Sequence, residues 1–198
     1  WLSKIATAND KNGSVINVAT DIAHKKNGAN EHVWYRPQTM TILTKRLAIK
    51  YASLDPSHRQ YYLQRSRLYQ EKLKTISREI KQCKQHVNHQ NRLVDVTEPV
   101  FDYALVNLGY KVNNPHFAKA IEDDNDPSPS DISRMQDDII QHKIAFLVVN
   151  TQETNGTIDN MTKLARRHHL PVMKVTEAEP AHKSYVQWMV SQYQELRH

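Results

Sequence analysis

One stretch constrains this chain more than any other: the polar-rich run from Asp55 to His89, which holds no Gly or Pro after Pro56. Among its apolar residues are Tyr62, Tyr69, Leu73, Ile76, Ile80, Cys83 and Val87, and from Tyr69 onward these recur in steps of four, three, four, three, four. That spacing is a single stripe on a helix. Leu54-Asp55-Pro56 suits the start of such a helix: Asp55 is placed to cap free N–H groups, and Pro56 fits the first helical position. About 30 residues at 1.5 Å each make a rod of roughly 45 Å, longer than most globular helices. A rod with different sequence character on its two sides reads as a spine between two parts. A short coiled coil is the competing reading, but the residues flanking the stripe are mostly basic rather than paired in sign.

The 198 residues make one large domain or two small ones. No apolar run approaches the ~20 residues of a membrane span, and no signal-peptide pattern opens the chain. It begins on Trp1, which reads as a fragment or a processed product. The net charge is +6, with much of the excess between Lys45 and Lys84. A basic helix can bind nucleic acid or an anionic surface; here acidic residues and glutamines interrupt the basic ones and no aromatic platform accompanies them. The one cysteine, Cys83, excludes an internal disulfide framework and a cysteine-rich zinc site. Its place on the apolar stripe makes it a buried thiol.

Before the long helix, Trp1 to Thr7 reads as a helix end, Asn12-Gly13 as a turn and Val15 to Val18 as a short strand. Pro37 opens a helix through Tyr51. Beyond residue 90 strands and helices alternate. Strands are expected at Leu93–Val96, Tyr110–Val112, Ile144–Val149 and Pro171–Val175. Helices are expected at Pro99–Leu108 (closed by Gly109), from Ser128-Pro129 to His142, at Thr157–His169 and at Ala181–Leu196, with Asn113 to Pro127 a loop. Strands each followed by a helix or a long connection imply a parallel sheet. The expected fold is α/β: a four-stranded parallel C-terminal lobe over 90–198, joined by the long helix over 55–89 to a partial N-terminal α/β lobe over 1–54.

Ligands of open parallel sheets bind beyond the carboxyl ends of the strands. Glu98 and Glu177 lie just past such ends, and His32 lies in the comparable segment Asn30-Glu31-His32-Val33-Trp34-Tyr35. Apolar Val96, Pro99 and Phe101 surround Glu98, where an unpaired carboxylate is costly and a cation would relieve the cost. Taken singly, each of the three also reads as an ordinary structural residue. Cys83, His86 and His89 are spaced by three, which spreads them round a helix instead of converging them. His168-His169 reads as a helix C-terminus. Sequons begin at Asn12, Asn155 and Asn160 and carry meaning only in a eukaryotic secretory context. No P-loop, dinucleotide fingerprint or Gly-x-Ser-x-Gly elbow is present.

In order and spacing these segments resemble the metal-binding lipoproteins that are substrate-binding subunits of zinc and manganese ABC transporters. Asn30-Glu31-His32-Val33-Trp34 is similar to that family's Asn-Pro-His-x-Trp segment, and Leu54-Asp55-Pro56 opens a comparable long helix. Val96-Thr97-Glu98-Pro99-Val100-Phe101-Asp102-Tyr103 resembles its ligand-bearing strand-to-helix element, and Asp126-Pro127-Ser128-Pro129 its Glu-Pro-Ser segment. Ile144 to Asn150 matches the next strand, and Thr176-Glu177 falls where the family carries its last carboxylate ligand. The resemblance implies two α/β lobes on one rigid helix, with a single Zn²⁺ or Mn²⁺ held in the cleft as transported cargo. His32, Glu98 and Glu177 become the second, third and fourth ligands; the first, usually a histidine, would lie upstream of Trp1. Three ligands on an incomplete cleft imply weak metal binding. The implied partner is an ABC transporter membrane permease, with extracellular placement, a lipid anchor outside these residues, no nucleic acid and no catalysed reaction. Glu177 departs from the usual Asp, Glu31 from a common Pro, and Arg36 from a common Asp, the last placing a cation near the cleft that could clamp a carboxylate. The competing functions are a basic helical adaptor for nucleic acid or an anionic surface, which would bind in a strongly salt-dependent way, and an enzyme using Glu98 as acid or base, for which no partner nucleophile is evident.

Overall fold

The computed structural model describes residues 15–26, 28–153 and 155–197. The helix end expected at Trp1–Thr7 and the turn at Asn12-Gly13 lie outside them. The long run is helical as its stripe requires: a 3-10 turn at Pro56–His58 leads into α2, Arg59–Gln85, after α1, Thr39–Leu54. Leu73, Ile76, Ile80 and Cys83 of α2 are buried, with Val87 just beyond, whereas the basic residues Arg59, Arg65, Arg67, Lys72, Lys74, Arg78, Lys81 and Lys84 are exposed. Asp55 does not cap main-chain N–H groups. It accepts from the hydroxyls of Ser57 (2.6 Å) and Tyr62 (2.9 Å), and these bonds, with His58, hold its carboxyl down at about 2.

Behind the helix stand four parallel strands, β1 (Leu93–Val96), β2 (Lys111–Val112), β3 (Leu147–Asn150) and β4 (Val172–Val175), in the order β2-β1-β3-β4. The register pairs Val94 with Val112, Val96 with Val148, and Asn150 with Val175. Side chains alternate across the sheet, so two separate cores form. Val94, Val96, Val148, Met173 and Val175 face α2, α3 (Asp102–Leu108) and α7 (Tyr185–Glu195), meeting Phe101, Leu105, Trp188 and Tyr193. Leu147 and Val149 face α4 (Pro115–Glu122), α5 (Pro129–Ile140) and α6 (Gly156–Arg167), meeting Phe117, Met135, Ile139 and Met161. Gly109 ends α3 with φ of 99°, a left-handed cap that costs a glycine little. The four-stranded parallel α/β sheet expected beyond the long helix is therefore present.

Two further expectations fail. Val15 to Val18 is no strand: Asn17 Oδ1 accepts from the N–H groups of Ala19 and Thr20 and starts a π-helical turn over Val18–Ile22. A side chain that bonds its own neighbouring backbone competes with strand pairing. Asn113 to Pro127 is not a loop throughout, because Pro115 sits at the first turn of α4 and Phe117, Ala118 and Ile121 bury one face of it. Cys83 is the buried thiol expected, donating to the Tyr193 carbonyl at 3.1 Å.

Candidate metal site

The site is assembled where the strands end. Glu98 follows β1, Asn150 closes β3 and Glu177 follows β4. In a parallel sheet these ends lie along one edge of the fold, which brings residues from distant parts of the sequence together. Each is fixed by the core beneath it. Asn150 is buried; its main-chain N–H donates to Thr97 Oγ1 (3.0 Å) and its side-chain amide to Glu98 Oε2 at 2.7 Å. Thr176 is gripped three times: Gln192 Oε1 accepts its N–H (2.8 Å), Trp188 Nε1 donates to its hydroxyl (2.8 Å), and the Tyr35 hydroxyl donates to its carbonyl (2.5 Å). Glu177 thus leaves a rigid support.

His32 arrives from the other side of the chain. The 3-10 turn Val33–Tyr35 follows it, and Tyr35 plugs into the core with its ring centroid 4.9 Å from that of Phe101 and 5.5 Å from that of Trp188. The Trp34 carbonyl accepts from the Tyr185 hydroxyl at 2.7 Å. Asn30 ties the segment down further: its side-chain amide donates to the Pro99 carbonyl (2.5 Å) and its carbonyl accepts from the Tyr103 hydroxyl (2.7 Å). His32 therefore reaches the strand ends 1% exposed, with Nε2 3.8 Å from Glu177 Oε1. Glu177 is 49% exposed, so the pair opens to solvent on the carboxylate side.

Charge accumulates here with little to balance it. Burial pushes the Glu98 carboxyl up, against the Asn150 bond, and Glu153, Glu177 and Asp124 add to the rise. Glu122, at the end of α4, is raised to about 7 by burial and then by the charges of Glu31, Glu98 and Glu177, with Lys119 opposing. Burial lowers the basicity of His32 more than Glu177 and Glu31 restore it. An uncharged imidazole among carboxylates is an electrostatically unfinished arrangement, and a divalent cation completes it. Nitrogen and oxygen ligands each about 2.1 Å from one Zn²⁺ stand roughly 3.4 Å apart at the tetrahedral angle. The observed 3.8 Å is wider by a few tenths, within the reach of a half-exposed glutamate.

The structure brings His32 and Glu177 together and sets Glu98 past the end of β1, with β3 between it and the β4 end that carries Glu177. Among the described residues no group of three His, Cys, Asp or Glu side chains is already arranged to hold one ion. Among the described residues Arg36 pairs with no carboxylate; its guanidinium donates to the Ala23 carbonyl at 2.5 Å, at the end of the π-helical turn. His86 is exposed and bonded to the Gln82 carbonyl, away from the buried Cys83, and His168 caps the end of α6. Asn150 and Glu122 belong to the site's surroundings and went unrecognised in the sequence. Asn150 was findable as the polar residue ending an apolar strand; Glu122 fell within the supposed loop.

A family model described as zinc-uptake complex component A, periplasmic, matches residues 1–198. No curated protein sequence matches the chain. Among solved structures, the periplasmic zinc-binding protein TroA from Treponema pallidum superposes with a TM-score of 0.72 at 16% identity, over 98% of this chain and 73% of that one. A Mn-bound mutant of a periplasmic metal-binding protein from Candidatus Liberibacter asiaticus gives 0.66 at 19%, over 93% and 68%. A mutant of the laminin-binding adhesin from Streptococcus agalactiae gives 0.64 at 20%, over 86% and 66%. At these identities the structures establish a shared fold, and this chain spans about two thirds to three quarters of their lengths. The family match over the whole chain establishes membership: the chain belongs to the zinc-uptake component family, the periplasmic or extracellular metal-binding components of ABC uptake systems.

Proposed function

We propose that this member of the zinc-uptake family captures one divalent cation, Zn²⁺ or Mn²⁺, between His32, Glu98 and Glu177 and hands it to a membrane permease, catalysing no reaction. Residues 1–54 then form the chain's share of one lobe, 55–89 the connecting spine and 90–198 the second lobe, with a lipid anchor outside these residues holding the protein at the membrane. The observation that carries the reading is the buried His32 imidazole set 3.8 Å from the Glu177 carboxylate, amid Glu31, Glu98 and Glu122. Imidazole with carboxylates suits both metals, and intrinsic affinity favours Zn²⁺.

The cation enters from the exposed Glu177 side. It is cargo, so it must also leave, and a half-exposed ligand serves release better than four buried ones. Calorimetric titration with ZnCl₂ tests the assignment. One ion per chain is expected, with affinity reduced at least about tenfold in His32→Ala and unchanged in His168→Ala. Equal affinity in His32→Ala and the unaltered protein would overturn the ligand assignment.

A further inference from the structure

The hydrogen bonds around Asn30 determine which nitrogen of His32 carries the proton. A neutral imidazole has one N–H and one lone pair, and the partner of one nitrogen decides the role of the other. Asn30 Oδ1 stands 2.9 Å from both the main-chain nitrogen and Nδ1 of His32, and Asn30 Nδ2 stands 2.5 Å from the Pro99 carbonyl. Two of these partners admit no choice. A main-chain N–H only donates and the Pro99 carbonyl only accepts, so the amide oxygen must face His32 and the amide nitrogen must face Pro99. The oxygen opposite His32 Nδ1 accepts, and Nδ1 must donate to it.

We infer that Asn30 is the positioning residue of the metal site: it locks His32 in the Nδ1–H form, so that Nε2 presents its lone pair toward Glu177. Two acceptors then face each other across 3.8 Å with no proton between them, an arrangement that a cation converts from repulsion to attraction. The same side chain fixes where His32 stands. Its amide holds the Pro99 carbonyl, and the Asn30 main-chain carbonyl takes the Tyr103 hydroxyl at 2.7 Å. Pro99 adjoins Glu98, so one asparagine sets the position of the imidazole against the strand end that bears the second carboxylate. The pattern is the general one in which a metal-bound histidine is oriented by the group on its other nitrogen, here carried out by a neutral amide.

The inference rests on His32 being the metal's imidazole ligand, and its test separates the two. Long-range ¹H–¹⁵N correlation of the histidine-labelled, metal-free protein at pH 8 reads the tautomer directly, with His32 assigned by its loss in His32→Gln. The expected pattern is a protonated Nδ1 and an unprotonated Nε2. An Nε2–H tautomer in the unaltered protein overturns the inference without recourse to any variant. In Asn30→Leu the tautomer preference should be lost and Zn²⁺ affinity should fall about 10–100-fold. Asn30→Asp keeps the accepting oxygen and loses the donor to Pro99; it should keep the Nδ1–H form and restore affinity to within a few fold. Unchanged tautomer and affinity in Asn30→Leu would overturn the inference. If the tautomer is as expected while added Zn²⁺ leaves the His32 Nε2 resonance unmoved, Asn30 does orient the ring and the ligand assignment fails instead.

Discussion

The sheet unit of residues 93–195 and the segment before the long helix are held in different ways. In the first, both faces of β1 and β3 are covered, and each strand end that bears a site residue is bonded into buried side chains. In the second, α1 rests on α2 through small buried residues, Ala48 and Ala52, a Ser66 hydroxyl bonded to the Thr44 carbonyl (3.3 Å) and the Tyr51–Tyr62 ring contact. Its Ile42, Ile49, Tyr51 and Leu54 remain exposed. The proposed site draws on both regions: Glu98 and Glu177 stand on the well-packed one, and His32 depends on Tyr35 and Asn30 for its place. One half of the proposed site is therefore built by the core and the other half is tethered to it.

That contrast can be broken most severely in the core. Phe101→Ala removes a fully buried ring that meets both Tyr35 and Tyr193, and it should cost about 3–5 kcal/mol in urea unfolding. Ile49→Ser on the exposed face of α1 should change stability by no more than about 0.5 kcal/mol. Equal costs for the two would refute the distinction.

Next in size is a buried acid on β1. Asp95 is fully buried, its Oδ1 accepts from Asn113 (3.3 Å) and its Oδ2 has no partner. Burial raises its carboxyl from 3.8 to about 7, with Asn113 opposing and Asp138 adding to the rise. The folded chain thus holds this proton more firmly than the unfolded chain. The resulting stability is complete below about pH 4 and is lost as pH rises through about 7. Asp95→Asn should flatten that decline and gain on the order of a few kcal/mol over the unaltered protein at pH 8. A parallel pH profile for the two proteins would contradict the account.

Smaller is the bond that supports Glu98. Asn150→Leu keeps the volume and removes the amide that donates to Oε2, leaving the carboxylate unpaired at a cost of about 1–3 kcal/mol; chemical unfolding of the metal-free protein measures it. The mildest probe is hydrogen exchange: main-chain amides of residues 39–54 should exchange faster than those of β1 and β3. Equal protection would show the two regions to be one cooperative unit.

Much of this was legible in the sequence, because the signals were local. The stripe from Tyr69 to Val87, the apolar run ending at Asn150, Gly109 after a helix and Ser128-Pro129 before one each prescribe their element, and their alternation prescribes the parallel sheet. The misreadings have one origin, in which a nearby partner outweighed a short pattern. Asn17 bonds its neighbours and coils Val18–Ile22 where a strand was expected. In α4, Phe117 and Ile121 bury a face that eight residues are too few to announce. Arg36 finds the Ala23 carbonyl instead of a carboxylate. Of the proposed ligands, Glu98 and Glu177 are marked by their position beyond a strand end. The grip of Gln192 and Trp188 on Thr176 and of Asn150 on Glu98 spans 12 to 52 residues of sequence, a separation at which pairing cannot be read from pattern.

The central claim is that the tethered half and the core-built half meet around one ion. Crystals grown with Zn²⁺ and measured on both sides of the zinc absorption edge test it directly. The account predicts an anomalous peak within about 2.3 Å of His32 Nε2 and of a Glu177 carboxylate oxygen, with Glu98 turned toward it. A peak at His168 or His169, with none between His32 and Glu177, would contradict it.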